Sequence, residues 1–356
     1  MQDVFLPGNG FDTYEVQDKV LIGMSGGVDS SVAVRILQQQ GFAVTGAVIR
    51  FSPAHESAVE AARRAAEQLG IQCIVLDAQD LFEREVITPF CADYCAGRTP
   101  NPCVLCNPAV KFASLLEAAG RLGIPYIATG HYARVEVDGD GVSRIHQPAS
   151  AARDQSYMLC RLPQAVLSRL ILPLGEFEKE DIRAMAREFG LDCADAPDSM
   201  EICFIPEGDY AGYIARRGLT GKAGRFLSPD GADLGPHKGV LHYTIGQRKG
   251  LGLALGEPVF IKTILENGDI QLARAGQEYF RTVTLRDLST ADGKPLPAGR
   301  YEVKIRSAAR LAPALFDGRN TLTFEEPVRA PAPGQTAAFY REGAVLGGGF
   351  ITGAAE

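Results

Sequence analysis

The sequence predicts an α/β protein: a parallel sheet covered by helices in the first part of the chain, then a small mostly-β middle domain and a C-terminal β-barrel. Three observations predict this. Short β-branched runs alternate with amphipathic helical stretches up to about residue 207, the pattern of a parallel sheet buried on both faces. A glycine-rich turn directly follows the first of those runs. Beyond residue 207 glycine and proline become frequent, helical periodicity disappears and short alternating segments recur, which is an all-β texture.

Taken in order, Lys19 to Met24 is predicted as the first strand, Ser31 to Gln40 as a helix closed by Gly41, and Ala43 to Arg50 as the second strand. His55 to Leu69 reads as a helix ending at Gly70, Gln72 to Leu76 as a strand, Pro108 to Leu122 as a helix ending at Gly123, and Pro125 to Thr129 as a strand. Glycine at a helix end followed by a short β run is the expected punctuation. In the second half, Pro258 to Ile264, Ile270 to Ala273, Tyr301 to Arg306 and Thr321 to Phe324 are the strand candidates, with a break near Gly276 to Arg281. The expected organisation is an N-terminal extension over 1–18, a catalytic domain over 19–207, a middle domain over 208–276 and a barrel over 277–356. No internal repeat or low-complexity tract is visible.

With 356 residues and 46% hydrophobic content, the chain can bury two or three cores. Met1 to Lys19 has no cationic start and no continuous apolar segment, and nowhere do about 18 apolar residues run together. The expectation is a cytoplasmic protein with no membrane association. A formal charge of -7 argues against a general polyanion binder, since affinity for phosphate backbones comes from clustered Lys and Arg. Local strips such as Gln247-Arg248-Lys249, and Lys304 and Arg306 with Arg310, can still serve that purpose. Eight cysteines without a signal peptide indicate thiol or metal chemistry rather than a disulfide framework. Cys73, Cys160 and Cys193 lie in apolar or helical surroundings and read as small buried hydrophobes.

Ser25-Gly26-Gly27-Val28-Asp29-Ser30-Ser31 follows the first strand and opens a helix. Two glycines permit a tight turn, successive N–H groups and the helix N-terminus then face an anion, and the serine hydroxyls add donors. The Gly-Lys-Ser/Thr ending of the kinase-type loop is absent. This string resembles the S-G-G-x-D-S motif of the PP-loop ATP pyrophosphatase superfamily, an adenine nucleotide α-hydrolase-like, Rossmann-like fold. The resemblance implies ATP as cofactor and adenylation with loss of pyrophosphate. Asp29 is expected to help hold Mg²⁺ on the phosphates, because a hard cation prefers carboxylate oxygens; a helix-capping role is the competing reading.

Gly97 to Asn107 is stiffened by Pro100 and Pro102 and leads into the helix expected from Pro108. Cys106 is therefore expected at a helix N-terminus with Lys111 one turn in, both of which would lower its thiol pKa. Cys203 lies between apolar residues after the polar turn Asp198-Ser199-Met200-Glu201. The set formed by Gly23 to Ser31, Thr99-Pro100-Asn101-Pro102, Cys106-Asn107, Lys111-Phe112, Ala128 to Arg134, Asp154-Gln155-Ser156-Tyr157, Ile202-Cys203-Phe204-Ile205, Tyr243 to Gly252, Pro333-Gly334-Gln335 and Gly347-Gly348-Gly349 resembles the bacterial tRNA-specific 2-thiouridylase family over nearly the whole chain.

The resemblance implies that Cys106 is the nucleophile, that Cys203 receives sulfur as a persulfide, and that the two finish as a disulfide which a reductant must reset. It places Gly23, Met24, Ser25, Gly26, Gly27, Val28, Asp29 and Ser30, with Ile49 and Gly130, around ATP. Asn101, Pro102 and Cys103 fall around the target base, and Arg153, Asp154 and Gln155, with Arg306 and Ser307, on tRNA; Ser307 departs from the family pattern. The implied partners are tRNA and a persulfide or sulfide donor protein, and the implied product is 2-thiouridine at the wobble position. Where the family carries Asp, this chain has Cys103. Three readings of the thiols follow: redox sulfur transfer by Cys106 and Cys203 alone; a [4Fe-4S] cluster on Cys103, Cys106 and Cys203; or a structural zinc on Cys91, Cys95, Cys103 and Cys106. His131 ends a strand and could contact ATP or cap the next segment. Competing functions are another PP-loop adenylating ligase, a 4-thiouridine-type sulfurtransferase, and a non-enzymatic ATP-sensing tRNA- or metal-binding protein.

Overall fold

Val20, Leu21 and Ile22 are consecutive and all have no exposed surface, which a strand permits only when both faces of its sheet are covered. The computed structural model describes residues 18–196, 202–205 and 207–355; of the N-terminal extension, all but residue 18 lies outside the described residues. Strand β1 (Lys19–Gly23) leads through the glycine turn into α1 (Val28–Gln39), then β2 (Ala43–Arg50), α2 (Glu56–Leu69) and β3 (Cys73–Asp77). Helices α3 (Gln79–Phe82) and α4 (Thr88–Cys95), joined by a π turn, precede α5 (Pro102–Cys106) and α6 (Phe112–Leu122). Next come β4 (Tyr126–Thr129), a hairpin of β5 (Arg134–Val137) and β6 (Ser143–His146), α7 (Gln164–Leu167), β7 (Leu170–Ile171), α8 (Lys179–Glu188) and α9 (Tyr210–Arg216). The first sheet has the order β3-β2-β1-β4-β7 and is parallel throughout.

Two helix starts differ from expectation. The first helix begins at Val28, three residues earlier than Ser31, with Gly27 as N-cap. The second begins at Pro102, not Pro108: the Asn101 side chain accepts from the Cys103 N–H at 3.1 Å and caps the helix, with Pro102 at its first position. Pro108 falls inside a π-helical turn, Asn107–Lys111, that joins α5 to α6. A proline inside an α-helix removes a hydrogen bond and clashes with the preceding turn, and the wider π turn accommodates it. Gly70 and Gly123 end α2 and α6 in the left-handed conformation.

The second half contains two more sheets. Strands β8 (Arg225–Leu227), β9 (Asp233–Pro236), β10 (Val259–Ile264) and β11 (Ile270–Arg274) pair in the order β10-β11-β8-β9. The remainder, β12 (Tyr279–Thr290), β13 (Gly299–Lys304), β14 (Ala312–Phe316), β15 (Thr321–Arg329), β16 (Thr336–Arg341) and β17 (Ala344–Ala355), runs antiparallel and closes through β12–β17 pairing into a six-stranded barrel. Closure removes exposed edges. The β5–β6 hairpin of the first domain joins the barrel sheet where His146 pairs with Ala344.

Buried polar contacts fix the barrel on the first domain. Asp154 and Lys304 form an ion pair at 3.1 Å with side chains 5% and 9% exposed. The Tyr157 hydroxyl donates to the Thr336 carbonyl at 2.9 Å. Thr99 is held from both sides: its N–H donates to the Pro333 carbonyl at 2.8 Å, and Gln335 Nε2 donates to its carbonyl at 2.8 Å. The barrel thereby grips the loop that carries Asn101 and Pro102. Burial works against ionisation of Asp154, but hydrogen bonds from Ser156 and Gln147 and the Lys304 ammonium hold its carboxyl below the usual range.

Removing one partner of a buried pair leaves an uncompensated charge, so Lys304→Met is expected to cost about 3–5 kcal/mol, read as a lowered midpoint of thermal unfolding. The depressed Asp154 pKa gives the matching pH dependence. Its contribution is present above the unfolded carboxyl pKa of about 4 and is lost as pH falls through the lower folded value. The wild type should thus lose more stability than the variant as pH falls below about 4, the ordinary carboxyl value.

Candidate active site

In the sheet order β3-β2-β1-β4-β7 the chain runs outward from β1 in one direction and then returns to β1's other side. The gap between β1 and β4, at their C-terminal ends, is the topological switch point where such sheets bind ligands. The turn after β1 and the segment after β4 flank it. Gly26 has φ +76°, and a Cβ there would come within 2.6 Å of the Ala61 backbone carbon, so the position admits only glycine. Ser30 and Ser31 hydroxyls donate to the Gly27 carbonyl at 3.1 and 3.0 Å, and the Ser25 N–H donates to Ser30 Oγ at 3.3 Å. Across the gap, a Cβ on Gly130 would lie 3.0 Å from the Ser30 nitrogen. Met24, Val28 and Ile49 are buried around the turn, Gly23 ends β1, and Gly27 caps α1.

Asp29 is the loop's carboxylate, and its surroundings differ from the expected Mg²⁺ ligand. Lys179 Nζ donates to its two oxygens at 2.7 and 2.8 Å, and the Tyr132 hydroxyl donates to Oδ1 at 2.7 Å. Lys179 is almost wholly buried. Sequence reasoning gave Lys179 no role, although a signal was there: it opens α8, where a cation opposes the helix macrodipole.

The thiols meet in one recess. Cys106 is buried at the end of α5, while Cys103 and Cys203 are exposed. Burial pushes Cys106 up to about 12, Lys111 pulls it down, and charge on Cys203 or Cys103 would raise it further. Burial likewise pushes Cys203 up to about 11, with Cys103 raising it and Lys111 and backbone hydrogen bonds lowering it. Cys106 is therefore within electrostatic reach of both Cys103 and Cys203, and Cys203 of Cys103, although positions 106 and 203 lie 97 apart in the sequence. The expected lowering of Cys106 does not occur. Cys106 is at the wrong end of α5 to gain from its N-terminus, and desolvation outweighs the lysine.

Cys203 is delivered by its neighbour. Phe204 packs edge-on against Phe82, Phe90 and Tyr213, with ring centroids 5.4, 5.2 and 5.6 Å away. On the other side of the recess, Lys111 Nζ lies 3.4 Å from His131 Nε2, and His131 Nδ1 lies 2.7 Å from Thr129 Oγ1. An ammonium only donates, so Nε2 accepts and Nδ1–H donates to Thr129. Burial, and then Lys111, holds His131 well below its ordinary pKa, in the neutral form. All eight cysteines are free. Among the described residues no three Cys, His, Asp or Glu side chains are gathered as ligands for a metal ion, so the zinc set Cys91, Cys95, Cys103 and Cys106 is not assembled.

The residues expected on RNA divide into two kinds. Arg248 and Lys249 are exposed on a glycine-bounded loop, a placement suited to phosphate. Asn101 caps α5, and Pro102 is buried beside it. Asp154 is committed to Lys304, Gln155 Oε1 accepts from the Tyr132 N–H at 2.8 Å, and Arg153 and Ser307 are half-buried. Arg306 Nη2 donates to the carbonyls of Ile245 and Ala330 at 2.9 Å, tying the middle domain to the barrel. Asp154 and Arg306 thus act as struts in this structure.

Three family descriptions match in succession: "tRNA methyl transferase HUP domain" over residues 18–207, "tRNA methyl transferase PRC-barrel domain" over 213–272, and "Aminomethyltransferase beta-barrel domain" over 280–351. The chain is 42% identical to the tRNA-specific 2-thiouridylase MnmA of Acetivibrio thermocellus, covering 94% of this chain and 99% of that protein. It is 43% identical to the protein of the same name from Carboxydothermus hydrogenoformans, over 94% and 97%. The corresponding protein of Syntrophotalea carbinolica is 40% identical, over 95% and 99%.

Two outcomes follow from the recess. Iodoacetamide should modify Cys203 and Cys103 before Cys106 at any pH, with rates that climb as pH rises toward 11, about where the Cys203 thiol ionises, because the thiolate is the reactive form; peptide mass spectrometry gives the order. Phe204→Ala should cost about 3–5 kcal/mol of stability and slow oxidative cross-linking of Cys106 to Cys203, read on a non-reducing gel.

Proposed function

We infer that this chain, which belongs to the tRNA-specific 2-thiouridylase family, replaces the C2 oxygen of the tRNA wobble uridine with sulfur, through the phosphate turn and the Cys106–Cys203 pair. It is a tRNA sulfurtransferase, and no helix among its described residues is long and apolar enough to cross a membrane. The observation that supports the mechanism is that Cys106 lies within electrostatic reach of Cys203, with Lys111, which meets His131 after β4, lowering both thiols.

A carbonyl oxygen is a very poor leaving group until it is esterified. ATP, entering as its Mg²⁺ complex, lays its phosphates in the Ser25–Ser31 turn. The uridine O2 attacks the α-phosphorus, the bond to pyrophosphate breaks, and the uridine N3 proton goes to solvent. The turn and the N-terminus of α1 hold the departing anion. Sulfur arrives as a persulfide on Cys203 from a donor protein. Cys106 attacks the Cys203 Sγ, the S–S bond to the outer sulfur breaks, and hydrosulfide leaves with the electron pair. Hydrosulfide adds to C2, AMP departs with the former O2, and 2-thiouridine remains. The two electrons that reduced the outer sulfur come from Cys106 and Cys203, which are left as a disulfide for an external thiol to reduce.

The raised pKa values suit this order. Both thiols stay protonated at neutral pH, which protects them between turnovers. Lys111, the one cation common to all three thiols, is placed to favour the thiolate as it forms. The His131–Thr129 relay fixes that ammonium. Cys103, Cys106 and Cys203 are also the residues that would hold an iron–sulfur cluster, which could carry hydrosulfide on an open iron; as they stand they are not gathered as ligands, and no step here passes through one. Iron and sulfide analysis of anaerobically purified protein tests that reading directly.

A tRNA transcript incubated with ATP, Mg²⁺ and a persulfide source should gain sulfur at a single uridine, seen by nucleoside mass spectrometry. Cys106→Ser and Cys203→Ser should each lower the yield by at least about a hundredfold while leaving ATP binding intact, since neither touches the phosphate turn. Full activity of Cys203→Ser would refute the mechanism and favour a non-catalytic or small-molecule-ligase role.

A further inference from the structure

We propose that Lys179 is a positioning residue of the nucleotide site: it holds Asp29 as a neutral pair, so that the divalent ion is carried by the ATP phosphates and solvent and not by this carboxylate. The proposal rests on the ATP-using reading above.

The geometry is specific. Lys179 Nζ sits 2.7 and 2.8 Å from Oδ1 and Oδ2 of Asp29, a two-point contact, and the Tyr132 hydroxyl takes Oδ1 as well at 2.7 Å. The ammonium lies 5.9 Å from the Tyr132 ring centroid, within cation–π range. The three groups come from three elements: α1, the segment after β4, and α8. Lys179 is 4% exposed by side chain, and Asp29 is 33% exposed, facing the turn.

Lys179 is poorly placed for its own helix. It occupies the first position of α8, after the N-cap Glu178, where a positive charge meets the positive end of the macrodipole. Burying an ammonium is costly unless it is paired. A residue that breaks both rules is retained for a contact elsewhere, and the contact here is Asp29. Conversely, a bare carboxylate in a phosphate-binding turn would repel the triphosphate. Pairing removes that repulsion and pins the first turn of α1, whose N–H groups must face the anion.

Mg²⁺ requires oxygen ligands at about 2.1 Å and keeps several of its waters. At either Asp29 oxygen it would stand beside the lysine ammonium, cation against cation. The donor set therefore does not suit direct coordination by Asp29. The arrangement predicts a reciprocal effect: once Lys179 is removed, Asp29 becomes a cation site, and Mg²⁺ can replace the missing charge.

Calorimetric titration of ATP into the full-length protein across a Mg²⁺ series tests this, with thermal melts confirming folding and tRNA binding as a control. Asp29→Asn should move the half-saturating Mg²⁺ concentration by less than about threefold. Lys179→Met should weaken ATP binding about tenfold or more at low Mg²⁺, equivalent to about 1.4 kcal/mol, and regain most of it at millimolar Mg²⁺. The double variant Asp29→Asn with Lys179→Met should bind ATP within about threefold of wild type at low Mg²⁺, because neither charge is left unpaired. A shift of more than about threefold in half-saturating Mg²⁺ for Asp29→Asn, or a double variant no better than Lys179→Met, would overturn the proposal. If Lys179→Met does not fold, Asp29→Asn alone decides. Failure of the wild type to bind ATP at all would instead remove the underlying function.

Discussion

Everything in the sulfur-transfer site depends on the packing of one ring. Phe204 is buried among Phe82, Phe90 and Tyr213, and those three come from the helical insert after β3 and from α9. The cysteine beside that ring is thereby held within electrostatic reach of Cys106. Edge-to-face aromatic contacts add directional preference to plain burial, so the ring sets the orientation of the segment as well as its depth. The recess is consequently made by tertiary packing and not by any local motif.

The barrel belongs to the same site although none of its residues is a thiol. Pro333 and Gln335 hold Thr99 through both its backbone polar groups, and two residues later Asn101 caps the helix that presents Cys103 and Cys106. A Cβ on Gly334, at φ +93°, would approach the Thr99 backbone to 3.1 Å. That closeness explains why the turn between the two gripping residues is glycine. Asp154 and Lys304 fix the other side of the same junction. The loop that carries Asn101 and Pro102 is in this way fixed by two domains, and its stiffness comes from contacts more than 230 residues apart in the chain.

The parallel sheet and the phosphate turn were legible because each rests on short-range rules: apolar runs of strand length, glycine after a helix, and glycines between a strand and a helix; the strand order β3-β2-β1-β4-β7 is set by long-range pairing that those rules do not reach. Where the rules conflicted, the reading slipped. Pro108 looked like a helix start, yet the cap was Asn101, and the proline was absorbed by a π turn. Cys106 accordingly ends α5 instead of opening a helix, and it is burial, which spacing in the sequence does not show, that raises its pKa. Lys179 is overlooked for a different reason: its place against the macrodipole is a signal, but a lysine beside glutamates at a helix start also looks like a solvated surface residue. Asp154 and Arg306 were expected on tRNA through the family resemblance; a carboxylate facing Lys304 and a guanidinium on two carbonyls are partners that spacing in the sequence does not reveal.

The desolvation that silences the thiols also explains why a single lysine suffices to wake them. In water an ammonium several ångströms from a sulfur does little, whereas in a recess of low effective dielectric the same charge acts strongly. The recess therefore raises Cys106 and Cys203 and, by the same physics, enlarges the leverage of Lys111 over both. His131 must remain neutral to hold Lys111, since a protonated ring has no acceptor for the ammonium and would repel it, and its burial against Phe112 and Thr129 ensures that it does.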